Sequence, residues 1–202
     1  MVQSGVRSGA FAHPFYFLRH GETHWNKSGT TQGQLDAKLN ETGIEQARRA
    51  AEALAGEPIE RIVASPLSRA LDTAEAVAAR HGLPVETDPE LMECHLGRHQ
   101  GGPHGPWLAD FFRGEYAPPG GETFDRFRAR VWAAMQRAVA KGPHTLIVAH
   151  GGLWIAARTY VAVEPDLPRM PNALPLHVTP EPGRWVHRIC GQLAPAGAPE
   201  SY

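Results

Sequence analysis

The stretch Phe15-Tyr16-Phe17-Leu18-Arg19-His20-Gly21-Glu22-Thr23 decides how this chain is read. Four apolar residues run into an Arg-His pair, and a glycine follows at once. This is the pattern of a short buried strand that ends in a polar turn. In open α/β sheets, ligands bind beyond the carboxyl ends of the strands, so Arg19 and His20 stand where chemistry is expected. The same pattern returns in Thr145-Leu146-Ile147-Val148-Ala149-His150-Gly151-Gly152. If both strands are parallel neighbours, their two histidines meet.

The residues between these strands alternate between helical and extended patterns. Positions 24–38 are polar, with Gly29 and Gly33, and read as loop. Asn40 suits an N-cap, since its side-chain oxygen can take an orphan backbone N–H. Ile44, Ala47, Ala51 and Leu54 then recur at steps of three and four, which marks an amphipathic helix, and Gly56 and Pro58 stop it. Residues 59–64 read as a second strand. Ser65-Pro66 is expected to open a helix with the apolar stripe Leu67, Leu71, Ala74 and Ala78, ended by Gly82. Arg69 then lies near the positive end of that helix.

Residues 84–87 read as a third strand. Residues 88–121 are irregular and rich in Gly and Pro, as lids and binding loops are. Residues 123–140 form a helix with Phe124, Phe127, Val131, Met135 and Val139 on one face. A buried helix is expected over 153–161. Strands are expected over 174–179 and 185–189, joined by the turn Pro180-Glu181-Pro182-Gly183. Strands alternating with helices predict a three-layer α/β/α sandwich with a mostly parallel central sheet.

Composition narrows the function classes. The 202 residues suit one domain. We read 1–13 and 191–202 as flexible tails around a single catalytic domain, 14–190, carrying a lid insertion at about 94–121. The formal net charge of -1 sets up no global field for nucleic acid or for anionic membrane. No run is long enough to span a bilayer. The 2 cysteines, Cys94 and Cys190, form no disulfide framework and suit a reducing cytoplasm.

Arg19, His20, Arg69 and His150 each fall just after a strand or in the first turn of a helix. Parallel strands would gather them at one edge. Two guanidinium groups, two imidazoles and free helix N-termini make an anion site, and the planar Arg donors match phosphate oxygens in pairs. A neutral histidine is a competent nucleophile, and nearby arginines disfavour a second proton on its ring. Glu93, at the start of the irregular segment, is the candidate proton donor for a leaving alkoxide; Glu22 is a rival suited to orienting its loop. His95, His99 and His104 could suggest a metal site, but Gly97, Gly101, Gly102 and Pro103 argue against the helix it would need.

With these residues in hand, the chain resembles the histidine phosphatase superfamily, which includes the cofactor-dependent phosphoglycerate mutases. The opening Leu18-Arg19-His20-Gly21-Glu22-Thr23 is similar to the family signature, with Trp25-Asn26 after it. Gln32-Gly33, Asp36, Leu39 and Gly43 look like the next block, and Ser65-Pro66-Leu67 with Arg69, Ala70 and Thr73 the third. Glu93 with Gly97 and Gly101, then Gly121-Glu122-Thr123, then Ala149-His150-Gly151-Gly152 complete the order. The resemblance implies that His20 is phosphorylated, that Arg19, Arg69 and His150 hold the phosphoryl group, and that Glu93 is the acid and then the base. It also implies that Thr23, Asn26, Gln32, Gly33, His95 and Gly151 contact phosphate or substrate, and that no metal or cofactor is needed.

Two departures bear on substrate. Thr30 stands where many members have an arginine, and Cys94 stands where the mutases have one. The segment that in the mutases carries basic residues for the substrate carboxylate is short here, with Arg98 and Arg113 as its arginines. Hydrolysis of a small phosphorylated metabolite is therefore expected, with a phosphoglycerate mutase as the alternative. No nucleic-acid or membrane partner is expected, and the sequence specifies no oligomeric state.

Overall fold

A computed structural model describes residues 11–191. Seven strands form one sheet in the order β3-β2-β4-β1-β6-β7-β5. The strands are β1 Phe15–Arg19, β2 Arg61–Ala64, β3 Val85–Thr87, β4 Thr145–Ala149, β5 Ala162–Glu164, β6 Leu176–Glu181 and β7 Arg184–Ile189. β1 pairs in parallel with β4, β4 with β2, β2 with β3, and β5 with β7. β6 runs antiparallel to both β1 and β7, so the sheet is mixed but mostly parallel.

The apolar run of β1 is explained by burial on both faces, as expected of a central strand covered by helices. Phe15 and Phe17 point into a core made with Val131, Met135 and Trp154. Those residues belong to α5 (Phe124–Val139) and α6 (Gly151–Ala157). Tyr16 and Leu18 point the other way, onto Ala50, Leu54, Ala74 and Val77. These lie on α2 (Glu41–Leu54) and α3 (Ser68–His81). Alternation along one strand thus builds the α/β/α layers.

Several local expectations change. The segment 24–38 is not all loop: α1 (His24–Ser28) forms within it, capped by Thr23. Ser65 does not cap α3. That helix starts at Ser68, whose N–H donates to Asp36 Oδ1 at 2.8 Å. The helix expected over 153–161 starts at Gly151, ends at Ala157 and gives way to β5. The irregular segment holds α4 (Trp107–Phe112). Within the stretch read as an N-terminal tail, Phe11 is buried and its ring meets Phe15, Trp132 and Trp185 at centroid distances of 5.3, 4.8 and 4.9 Å. The rest of that tail, 1–10, and most of the C-terminal one, 192–202, lie outside the described residues.

The order of strands places the site. Arg19 pairs with Ala149 across the β1–β4 ladder, so His20 and His150 leave adjacent strand ends together. The ladder continues one bond further, with the His20 N–H on Ala149 O at 3.0 Å. Ala64 pairs with Val148, which brings Ser65 beside His150. After the turn, Gly21 abuts the start of α2 so closely that a Cβ there would lie 2.9 Å from Gly43 C.

Candidate active site

His20 and His150 have ring centroids 5.2 Å apart, tilted by 58°. His20 is 3% exposed, and His150 and Arg69 are 0% exposed. The His20 Nδ1 lies 2.7 Å from Gly21 O. A carbonyl only accepts, so Nδ1 carries the proton and Nε2 keeps its lone pair. Burial lowers the His20 pKa well below the ordinary value, and the Arg69 and Arg19 charges push it down further. A neutral, correctly tautomerised imidazole is what a nitrogen nucleophile requires.

Three donor-capable atoms around this ring have no protein partner although buried: Arg19 Nε, Arg69 Nε and His150 Nδ1. Buried polar atoms are normally satisfied, so such a group points to an anion that completes them. The other ends of both guanidinium groups are fixed. Arg19 Nη1 donates to Met170 O at 2.7 Å, while Arg69 Nη1 and Nη2 donate to Leu35 O and Gly33 O at 3.0 and 2.7 Å. Burial lowers the Arg69 pKa to about 10, which leaves it cationic at neutral pH. His150 Nε2 is held by Ser65 Oγ at 2.8 Å, so only Nδ1 remains for a ligand. Burial, then Arg69, keeps that ring neutral too.

Glu93 closes the site from the far side. Its Oε2 accepts the Gly152 N–H at 3.0 Å, and its Oε1 accepts the Cys94 N–H at 3.0 Å. Arg130 secures the chain beneath it, donating to Glu90 O, Met92 O and Glu93 O at 2.6, 2.9 and 3.2 Å. Glycine at 152 is required by this approach, because a Cβ would lie 2.9 Å from Glu93 Cδ. Gly152→Ala is therefore expected to displace the carboxylate and lower kcat by about 100-fold, the usual cost of a misplacement near 1 Å. Steady-state turnover alongside an unchanged circular-dichroism spectrum checks this; full activity would contradict the placement.

Arg19, His20, Arg69 and Glu93 line one cavity of 570 Å³, together with Asn26, Gln32, Gly33, Gly151 and Gly152. Two site expectations need correction. Thr23 is fully buried outside the lining, and its hydroxyl donates to Asn26 Oδ1 at 3.1 Å as part of the α1 cap. His95 also lies outside the lining; its N–H is tied to Glu122 Oε1 at 2.8 Å. His150 is fully buried with its ring centroid 5.2 Å from that of His20, and its unpartnered Nδ1 is the atom left for a ligand. The three loop histidines have separate surroundings. His99 stacks on Trp107 at 3.9 Å and bonds Tyr116 at 2.7 Å, while His104 lines the cavity. Among the described residues no cluster of three or more His, Cys, Asp or Glu is arranged to hold a metal.

Some contributors carry no sequence signal. Asn172 Nδ2 donates to His20 O at 2.9 Å, and the Ala173 N–H donates to Arg19 O at 3.0 Å. Ala173 has φ 49°, a left-handed conformation rare for alanine, so the loop after β5 accepts strain where it clasps the Arg-His turn. Glu22 is the orienting group: its Oε1 accepts from Asn40 Nδ2 at 2.7 Å. Burial also raises the Cys94 pKa well above the thiol norm, which suits packing and not thiolate chemistry.

The buried histidines make stability depend on pH. Unfolded, His20 and His150 take up protons near pH 6.5. Folded, they do so only at lower pH. The unfolded chain therefore binds more protons below pH 6.5, and stability is expected to fall there by up to about 1.4 kcal/mol per pH unit for each ring. His104 and His177, also lowered by burial, act in the same direction. Tm measured from pH 7.5 to 5 checks the sign; a flat profile would contradict it.

A strand-end pair of neutral histidines, buried arginines with open donors and an opposed carboxylate together define a phosphoryl-transfer site. The profile of the histidine phosphatase superfamily (branch 1) matches residues 15–188, and the chain belongs to that family. Its relatives include a glucosyl-3-phosphoglycerate phosphatase of Mycolicibacterium vanbaalenii, 42% identical over 159 residues, covering 70% of each chain. The phosphoglycerate mutase-like protein 4 of Arabidopsis thaliana is 39% identical over 150 residues, covering 67% of this chain and 65% of the plant protein. A mycobacterial glucosyl-3-phosphoglycerate phosphatase solved with VO3 superposes with a TM-score of 0.75 and 33% identity, covering 89% of this chain and 99% of the other. A phosphoglycerate mutase from Thermus thermophilus superposes at 0.73 with 30% identity, covering 88% and 98%.

Proposed function

We propose that the protein hydrolyses a phosphomonoester through a phosphohistidine on His20. The observation that carries this reading is the Nε2 lone pair of a buried, neutral His20, set among unpartnered donors of Arg19, Arg69 and His150. In the first step Nε2 attacks phosphorus, an N–P bond forms and the P–O bond to the alcohol breaks. Glu93 gives its proton to the departing oxygen. In the second step the Glu93 carboxylate takes a proton from water, the resulting oxygen attacks phosphorus, and the N–P bond breaks to release phosphate. The arginines and His150 spread the charge on the three equatorial oxygens, where phosphoryl transfer most needs support. Asn26, Gln32, Gly33 and Gly151 fall to the phosphate end of the cavity in this reading.

Hydrolysis is favoured over mutation by the surroundings of the phosphoryl pocket. A mutase must hold its substrate's carboxylate and keep water out. Here Arg98 is exposed and outside the lining, and Arg113 is paired with Asp110 and Glu115 on the surface. The experiment is incubation with phosphomonoesters, 3-phosphoglycerate and glucosyl-3-phosphoglycerate included, with and without 2,3-bisphosphoglycerate and without added metal. Inorganic phosphate is expected. Interconversion of 2- and 3-phosphoglycerate without phosphate release would overturn the reading in favour of a mutase. No helix among the described residues is long and apolar enough to cross a membrane. The free buried thiols of Cys94 and Cys190 support a reducing, cytoplasmic setting.

A further inference from the structure

The cavity lining falls into two chemically different groups. Thr31 and Gln32 directly precede Gly33, whose carbonyl accepts from Arg69, while Thr30 and His104 stand at the bridge that pairs Thr30 with Pro103. The second group is apolar. α4 sends Leu108 and Phe112, one helical turn apart, into the cavity, and Leu96, Pro106, Ile155 and Met170 extend that surface. Among the described residues, the basic side chains lining the cavity beyond Arg19, His20 and Arg69 are His104 and Arg169, and Arg169 is exposed. At 570 Å³ the space is far larger than a phosphate and a three-carbon acid occupy.

From this wall we propose that the preferred substrate is the phosphomonoester of an alcohol with an alkyl or aryl body, held by Leu108 and Phe112 of α4 against Ile155 and Met170. The inference rests on the phosphatase reading and names its substrate class. The apolar side chains of this wall offer a hydroxyl or carboxylate no hydrogen-bond partner, which penalises sugar and phosphoglycerate leaving groups laid against them. An apolar body loses nothing and gains contact area with each methylene. The α4 segment thus does in this chain what basic side chains do in the mutases: it reads the leaving group, but by its greasiness and not by its charge.

The test compares kcat/KM for n-hexyl phosphate, glycerol 3-phosphate, 3-phosphoglycerate and glucosyl-3-phosphoglycerate. Hexanol and the glycerol ester are both primary alkoxide leaving groups, so the comparison isolates binding of the body. Hexyl phosphate is expected to exceed glycerol 3-phosphate by about 100-fold, within the range that a few buried methylenes provide. Leu108→Gln, and independently Phe112→Ala, should shrink that ratio about tenfold. Ile155→Thr on the facing helix gives the same readout should α4 fail to form in either variant. Phosphate release with no preference for the hexyl ester, or with glucosyl-3-phosphoglycerate preferred, overturns the apolar-body proposal and leaves the phosphatase reading standing. No phosphate from any ester overturns both.

Discussion

Replacing His20 with alanine is expected to lower phosphate release by about 10⁴-fold or more, the scale on which a nucleophile's removal is felt. The imidazole has no stand-in. His150 lies 5.2 Å away between ring centroids, but its Nε2 is committed to Ser65 and the ring is fully buried. Glu93 faces the pocket as an oxygen base and could at best aid direct attack by water. The variant should still fold, because deleting a neutral buried ring removes no charge partner. Activity within tenfold of the parent protein would remove His20 from the nucleophile's role.

Glu93→Gln is expected to cost about 10²- to 10⁴-fold, the usual worth of a placed general acid and base. The loss should depend on the leaving group. With an alkyl ester the departing alkoxide needs the proton, so formation of the phosphoenzyme slows. With a nitrophenyl ester the departing phenolate needs none, and only the later attack of water suffers. A burst of nitrophenolate followed by a slow steady phase is therefore predicted for the variant. Glutamine preserves the acceptor for the Gly152 N–H, so the start of α6 should not shift. Equal slowing of both esters in the pre-steady state would show that Glu93 is not the acid.

Much of this site could be read from the sequence because its parts sit at the ends of strands that announce themselves. An apolar run, then a polar residue, then glycine locates Arg19-His20 and His150-Gly151 without coordinates. The parallel pairing of β1 with β4 then places both histidines at one edge. Arg69 was legible for a related reason, since a strand followed by Ser-Pro points to a helix start. The same clue misled on Ser65. The α3 cap is supplied from a distant loop by Asp36, which frees the Ser65 hydroxyl to hold His150. α1 has five residues and β5 three, too short for periodicity to register. The Thr23-Asn26 capping box was the available signal for α1.

What stayed illegible is held mostly by backbone. The loop that clasps the Arg-His turn uses Met170 O and the Ala173 N–H, atoms every residue has. Asn172 contributes a side chain, but nothing in its surroundings in the sequence marks it as a partner of His20. Arg130 is similar. On α5 it reads as one more exposed cation, and only the fold shows it gripping three carbonyl groups of the segment that carries Glu93. The resemblance placed Thr23 and His95 at the substrate, but a motif position does not reveal whether a side chain faces the cavity or braces the turn that forms it.

The proposed hydrolysis turns on a covalent phosphoryl group at one named atom. Rapid acid-free quenching of the protein with ³²P-labelled nitrophenyl phosphate, followed by proteolysis and peptide mapping under alkaline conditions that preserve phosphohistidine, tests it most directly. The predicted result is base-stable, acid-labile label on the peptide containing His20, appearing before free phosphate reaches steady state and accumulating in Glu93→Gln. Label on any other residue, or steady release of phosphate with none on the protein in that variant, would contradict it.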